Sequence, residues 1–318
     1  MKKDFVLITG GTGSLGKALA LNLAKNNHVR IYSRNEERQF ELEQIFIKRG
    51  IRNYSFVIGD IQDEVNLERA LRGIKTVIHA AAMKDLVYCE LNPTQCIKNN
   101  ISGSQILLNA IAKSSTVKRV CGISTDKASS PSSTYGASKL IMESLFLDFS
   151  KQFPNKNTTI ARFGNMIDSS GSLISHWAKN PDSIKGIGHK DLSRFFFTLN
   201  EAIELVINVS YKKNTGTITI PFMKKIFIRD IIHILNPKKV KNIIGVQPGE
   251  KISELLVNSS ELLFAKIGTS SIELTRNIAK QQKLNSNVLA MFDSSTAPSY
   301  SAVELNSIVK KMVSKEIG

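Results

Sequence analysis

In Phe5-Val6-Leu7-Ile8-Thr9-Gly10-Gly11-Thr12-Gly13-Ser14-Leu15-Gly16, an apolar, β-branched run stops at a glycine-rich turn and gives way to helical spacing. Phe5 to Thr9 reads as a buried strand. Leu15, Leu19 and Leu23 share one face of a helix expected over Leu15 to Lys25. Gly10, Gly13 and Gly16 punctuate the passage from strand to helix. A turn of this kind lets bare backbone approach a pyrophosphate and leaves helix N–H groups pointing at it. A glycine triplet alone is weak, but this one stands in the strand–turn–helix context that dinucleotide binding needs. Gly10, Thr12, Gly13, Ser14, Leu15 and Gly16 are the candidate cofactor loop.

The same alternation continues outward. Strands are expected at Val29–Ser33, Tyr54–Ile58, Thr76–His79, Arg119–Ser124 and Thr158–Arg162. Helical stretches at Glu36–Lys48, Ile101–Lys113 and Tyr135–Ser150 fill the gaps. Strand–helix repetition at this spacing predicts an α/β fold, a Rossmann-type doubly wound parallel sheet with ligands beyond the carboxyl ends of its strands. Beyond Arg162 the alternation weakens, and Ile226–Leu235 and Ile252–Leu256 read as short helices. The expected division is 1–165 as a dinucleotide-binding domain, with a later segment returning to it, and 166–318 as mainly a smaller C-terminal substrate-binding lobe.

The 318 residues suit one large α/β domain with an appended lobe, or two domains, at about 150 residues each. With 42% apolar and 22% charged residues the chain can build a sizeable core, which excludes wholesale disorder. The apolar stretch after Lys2-Lys3 ends at Ile8, too short for a signal-peptide core, so the mature protein is expected to begin here. No run approaches the roughly 18 apolar residues of a membrane span. Three cysteines, Cys89, Cys96 and Cys121, and five scattered histidines lack metal-ligand spacing. The expectation is a cytoplasmic protein with reduced thiols, no metal and no membrane partner. A net charge of +16 suits an anionic ligand. Without a zinc finger, an RNP-type motif or a basic helix with interleaved aromatics, no nucleic-acid partner is expected.

The end of the second strand bears on which dinucleotide binds. An acid there would take the ribose hydroxyls of NAD; the residues are Ser33-Arg34-Asn35, and Arg34 with Ser33 suits a 2′-phosphate. NADP is expected, with NAD as the alternative. Asp60 and Ile61 follow the third strand toward the adenine edge, and Ala80, Ala81 and Ala82 after the fourth leave room for the cofactor to pass. Tyr135 and Lys139, at i and i+4 on a helix start, share one face. An ammonium beside the phenol is expected to lower the tyrosine pKa, so that it takes a proton from a sugar hydroxyl. Ten residues before Tyr135, Thr125-Asp126-Lys127 ends the fifth strand at the ligand edge.

These motifs resemble the extended short-chain dehydrogenase/reductase superfamily, and within it the inverting UDP-N-acetylglucosamine 4,6-dehydratases of bacterial polysaccharide and flagellin-sugar synthesis. The stretches that carry the likeness are ITGGTGSLGK (8–17), IYSRNEERQFELEQIF (31–46), GDIQD (59–63), VIHAAAMK (77–84), STDKASSPSSTYGASK (124–139), RFGN (162–165) and QPGEKISE (247–254). The resemblance implies a UDP-sugar substrate and a homo-oligomer, dimer or hexamer. It implies that Tyr135 takes the O4 proton, that Lys127, neutral beside Lys139, takes the C5 proton, and that Asp126 protonates the departing C6 hydroxyl. Thr125 and Lys139 complete the catalytic set. Lys84 is expected near nicotinamide or substrate, and Asn99 to hold the strand-end loops. Asn165, Arg162, Arg194 and Glu250 are expected on the substrate; for Arg162 and Glu250 the alternative is a buried pair joining the lobes. The chain departs from the family pattern at Ser130-Pro131, Asp168-Ser169-Ser170, Phe196 and Ser253, all near the substrate. A different reaction on the same scaffold (C4 epimerisation, 5,6-dehydration, ketone reduction) or a non-catalytic dinucleotide-binding protein are the competing readings.

Overall fold

The computed structural model describes residues 4–167, 173–275 and 289–314. Twelve strands are formed among them: β1 (Phe5–Thr9), β2 (His28–Ser33), β3 (Tyr54–Ile58), β4 (Thr76–His79), β5 (Arg119–Thr125), β6 (Asn157–Phe163), β7 (Asn165–Met166), β8 (Ser193–Phe197), β9 (Thr217–Pro221), β10 (Lys224–Phe227), β11 (Ala265–Ile267) and β12 (Ser271–Thr275). Nine of them make one sheet in the order β11-β12-β9-β6-β5-β4-β1-β2-β3. Every pairing from β3 across to β9 is parallel; β12 and β11 then add antiparallel. The chain is a Rossmann-type doubly wound α/β protein.

The central strands are buried on both sides, as a parallel sheet under helices must be, while the edge strand β3 is only partly covered. Val6, Leu7, Ile8, Val29, Ile31, Val77, Ile78 and Ile160 have no exposed surface. Each such side chain contributes about 1.5–3 kcal/mol by leaving water. The first helix, Ser14–Leu23, turns the predicted face of Leu15, Leu19 and Leu23 into this core. Other helices are started by side chains that accept a backbone N–H: Asn35 from Arg38, Asp63 from Asn66 and Ser133 from Gly136.

β1 lies between β2 and β4, so the winding direction reverses between β1 and β4. A crevice opens at that point beyond the strand ends. A smaller sheet, β10-β8-β7, faces it, backed by a second apolar cluster that includes Trp177, Ile184, Phe196, Ile231, Ile232 and Leu305. Strands β9, β12 and β11, from residues 217 to 275, belong to the large sheet.

Two local expectations are overturned. Ile226–Leu235 is not one helix: Lys224–Phe227 pairs with β8 first, and the helix runs over Ile228–Leu235. Ile252–Leu256 is not helical. Its backbone serves other partners: Ile252 O accepts from Ser193 N–H (2.9 Å), Glu254 N–H donates to Ser294 Oγ (2.8 Å), and Leu256 O accepts from Arg162 (3.0 Å). No helix among the described residues is long and apolar enough to cross a membrane.

Candidate functional site

A cleft of roughly 1020 Å³ runs along the carboxyl ends of the strands and under the small sheet. Gly10, Thr12, Gly13, Ser14, Leu15 and Gly16 form one wall. Gly10 has φ +67°, and a Cβ there would stand 2.7 Å from Ala81 Cα; one at Gly16 would stand 2.3 Å from Gly10 O. The loop is therefore packed as tightly as backbone allows, with Ala80, Ala81 and Ala82 lining the cleft opposite it. The first helix starts at this wall from Gly13 without a side-chain cap. An uncapped helix start in a bare glycine cradle fits the diphosphate of a dinucleotide.

Beneath the wall, buried His79 at the end of β4 bridges the end of β1 and a helix (Gly103–Lys113): Nδ1 meets Thr9 Oγ1 at 2.8 Å and Nε2 meets Ser104 Oγ at 3.0 Å. Burial, helped by the Lys139 charge, pulls the imidazole down to about 3, so it is neutral at working pH. Asn99 lines the cleft, but the residue that holds the neighbouring loop is Asn100. Its Oδ1 accepts from Met83 N–H (2.7 Å), and its Nδ2 donates to Met83 O (2.8 Å) and Ser138 Oγ (2.9 Å). The helical turn places the second asparagine, not the first, against the core.

At the far end of this wall Ser33, Arg34, Asn35, Arg38, Gly59 and Ile61 surround the cleft. Buried Gln39 fixes Ser33 by donating to its O (3.1 Å) and Oγ (3.0 Å). Arg34 is 61% exposed, with Asp60 Oδ2 at 3.4 Å. Asp60 is not part of the wall: its carboxylate is taken by Arg34 and by Gln62 N–H (2.9 Å). Arg38 was missed from the sequence. It sits four residues after Arg34, in the first turn of the helix capped by Asn35, and that spacing was the available signal.

Ser124, Thr125, Lys127, Tyr135, Lys139 and Asn165 line the middle of the cleft. Asp126 does not; it is fully buried behind them. Its Oδ1 accepts from Thr125 Oγ1 (2.9 Å) and Lys127 Nζ (3.0 Å), and its Oδ2 has no hydrogen bond. Lys127 Nζ also reaches Asn165 Oδ1 (3.3 Å) and lies 3.7 Å from Glu254 Oε1. The expected pairing of Lys127 with Lys139 gives way to carboxylates, because Lys139 Nζ turns to Ile123 O (2.7 Å). Burial lowers Lys139 to about 8, partly offset by Glu143. The Tyr135 phenol is raised, not lowered: burial dominates, the Asp126 charge adds to it, and a hydrogen bond with Thr125 takes part back. The Lys139 ammonium, which would favour phenolate, is engaged with the Ile123 carbonyl.

Toward the small sheet, Arg194 Nη2 donates to Glu250 Oε1 (2.8 Å), and both line the cleft with Trp177, Phe196 and Gln247. Lys84 lines the opposite side, its pKa lowered by burial. Arg162 is not in the cleft at all. It is fully buried, donating to both oxygens of Glu143 (2.8 and 2.6 Å) and of Glu261 (2.9 and 2.7 Å). Burial alone would pull its pKa down, but the two carboxylates more than reverse it and hold it charged. The strut joining β6 to the later segment is thus Arg162 with Glu143 and Glu261, while Glu250 belongs to Arg194. Asp168, Ser169 and Ser170 lie outside the described residues.

The family of polysaccharide biosynthesis proteins matches residues 6–272. The chain belongs to that family. Over 267 residues this polysaccharide biosynthesis protein is 37% identical to a Campylobacter jejuni protein named UDP-N-acetylglucosamine 4,6-dehydratase (inverting), covering 81% of this chain and 79% of the relative. It is 31% identical to a Rickettsia rickettsii UDP-glucose 4-epimerase, over 81% and 78% of the two chains. Among solved structures, Pen from Bacillus thuringiensis superposes with a TM-score of 0.87 at 31% identity, covering 98% of each chain.

Proposed function

We propose that this chain is a UDP-N-acetylglucosamine 4,6-dehydratase inverting at C5, using NADP+, or NAD+ in its place, as an internal hydride carrier. The carrying observation is that Thr125 and Lys127 share the cleft wall with Tyr135 and Lys139, while Asp126 stands buried behind them with Oδ1 3.0 Å from Lys127 Nζ. Gly10, Thr12, Gly13, Ser14, Leu15, Gly16, Ser33, Arg34, Ile61, Ala80, Ala81, Ala82 and Asn99 would hold the dinucleotide along its wall, with Arg38 joining Arg34 at the 2′-phosphate. When bound, the nicotinamide would supply the hydride acceptor for C4 and the donor for C6.

The protein's residues then have separable tasks. Arg194 holds the diphosphate, and Glu250 keeps the guanidinium aimed. Lys84 and Asn165 orient the hexose. Tyr135 acts as the phenolate, stabilised by Lys139, and becomes the neutral phenol on taking the O4 proton. The C4 ketone acidifies the C5 proton, which passes to Lys127 as neutral amine. Asp126 acts from behind the wall: as an acid it protonates Thr125 Oγ1, whose own proton goes to the departing C6 hydroxyl. Return of a proton to the other face of C5 inverts that centre.

The test is incubation with UDP-N-acetylglucosamine and NADP+, followed by NMR. The expected product is a 4-keto-6-deoxy sugar nucleotide with inverted C5 and no net reduced cofactor. The 31% identity to a 4-epimerase favours one second reading, C4 epimerisation; a product that keeps its C6 hydroxyl and differs only at C4 establishes that reading and removes the first.

A further inference from the structure

Glu254 has no part in the scheme above, yet it is buried beside the proposed base. It is 2% exposed. Its backbone is clamped by Ser294, whose Oγ accepts from Glu254 N–H (2.8 Å) and whose N–H donates to Glu254 O (2.9 Å). The carboxyl group is thereby aimed at Lys127, with Oε1 3.7 Å from Nζ. Oε2 lies 3.9 Å from Lys251 Nζ and makes no hydrogen bond. Lys251 itself donates to Ser130 O. Lys127 therefore stands between two buried carboxyl groups, Asp126 and Glu254, each with one oxygen that has no hydrogen bond.

We propose that Glu254 is a positioning residue that works as a neutral carboxylic acid, keeping the Asp126–Lys127 couple free to exchange its proton. The proposal rests on the dehydratase reading. The argument is one of charge. With Glu254 protonated, the three groups sum to zero in both forms of the couple, carboxylate with ammonium or carboxylic acid with amine. The two forms differ by one proton moved along the 3.0 Å hydrogen bond. With Glu254 ionised, a buried site carries one excess negative charge, and the proton is pinned on Lys127. The elimination needs the amine. There the C5–H proton passes to Lys127 Nζ, its electron pair becomes the C5–C6 double bond, and the C6–O bond breaks. The hydroxide leaves as water with the proton supplied through Thr125 by Asp126. Lys127 ends as ammonium and Asp126 as carboxylate, so the cluster's charge is unchanged.

The charged groups that act on Glu254 are Lys127, Asp126, Arg194 and Lys251. Burial raises its carboxyl most, Asp126 raises it further, and the three cations oppose the rise, with the net direction upward. Arg194 is already paired with Glu250.

The experiment compares wild type, Glu254→Gln and Glu254→Asp with UDP-N-acetylglucosamine and NADP+ in deuterated buffer, from neutral to alkaline pH. Two signals are followed in single turnover: the absorbance of reduced nicotinamide, which reports C4 oxidation, and deuterium entering C5. In wild type the C5 signal per C4 oxidation falls about tenfold for each pH unit above the Glu254 titration. Glu254→Gln, neutral at every pH, abolishes that limb, while Glu254→Asp keeps it. An unchanged limb in Glu254→Gln overturns the inference. So does loss of C5 exchange in Glu254→Gln with C4 oxidation intact, or absence of the limb in Glu254→Asp. A wild type that never oxidises C4 overturns the dehydratase reading itself, and the inference with it.

Discussion

Replacing Glu143 by Gln tests whether the Arg162 strut supports the site. Arg162 spends all its donors inside the protein: two on Glu143, two on Glu261 and one on Leu256 O. The side chain of Glu143 is 2% exposed. Glutamine keeps one acceptor oxygen and turns an NH₂ toward the guanidinium, so one charge-assisted bond is lost and the buried cation keeps a single formal counter-charge. Such bonds are each worth about 1.5–3 kcal/mol, and breaking a buried pair from one side costs about 3–5 kcal/mol. A loss of about 4 kcal/mol is expected. Unfolding entropy near 2.1 cal/mol/K per residue gives about 0.7 kcal/mol/K for a chain of this length, hence a fall in Tm of about 6 °C. Thermal and urea unfolding of the two single variants and of Glu143→Gln/Glu261→Gln measure it. The pair should be strongly non-additive, since both partners share one guanidinium. UDP affinity should fall as well, because Arg162 anchors the segment that carries Glu250. A Tm change under about 1 °C in Glu143→Gln would refute the reasoning.

Other perturbations have equally definite outcomes. Gly10→Ala combines φ +67° with a Cβ 2.7 Å from Ala81 Cα, whereas Gly50→Ala combines φ +66° with open space. The first should abolish saturable dinucleotide binding in a fluorescence titration, and the second should only destabilise by about 1–2 kcal/mol. His79 is held at about 3, below its unfolded value of 6.5. The unfolded chain therefore binds the extra proton; the stabilisation is complete above the unfolded value and is lost as pH falls from there toward the folded one. About 2 kcal/mol should be gone near pH 5, read from urea midpoints, and His79→Asn should remove that slope. Substituting Arg34 and Arg38 together by Ala should weaken NADP+ roughly 10–100-fold and NAD+ far less, by calorimetry; equal losses would place the 2′-phosphate elsewhere.

Much of the architecture is legible because the sequence carries it locally. The strand at Phe5–Thr9, the helix face of Leu15, Leu19 and Leu23, and the glycine loop are each specified by neighbours a few residues apart. The misreadings have a common cause, in partners distant along the chain. Ile252–Leu256 has helix-like spacing, but its backbone groups are claimed by Ser193, Ser294 and Arg162. Arg162 in the RFGN motif resembled a ligand-binding arginine until Glu143 and Glu261 took its donors. Glu254 lay in plain view in QPGEKISE, with nothing in the spacing to bring it near Lys127. Tyr135 and Lys139 share the predicted helix face, yet Lys139 bonds to Ile123 O, a choice made by β5 and invisible in the helix pattern.

The site's chemistry therefore belongs to the finished fold. Lys127 follows β5 directly, but its surroundings come from Asn165 after β6 and from Glu254 in the later segment. That segment is seated by contacts from both directions along the chain: Arg162 to Leu256 and Glu261, Ser132 Oγ to Gly249 O and Lys251 to Ser130 reach back, and Glu254 to Ser294 reaches forward. The same contacts set the Arg194–Glu250 pair over the cleft. Seating the segment thus does two things at once, placing the guanidinium for an anionic ligand and bringing the second carboxyl to the amine. A shift of this segment by an ångström or two would leave the sheet and glycine loop intact but separate Glu254 from Lys127, where the charge interaction varies inversely with distance. On the proposed function, residues 249–261 would therefore couple binding at one end of the cleft to proton transfer at its centre, without either end touching the other.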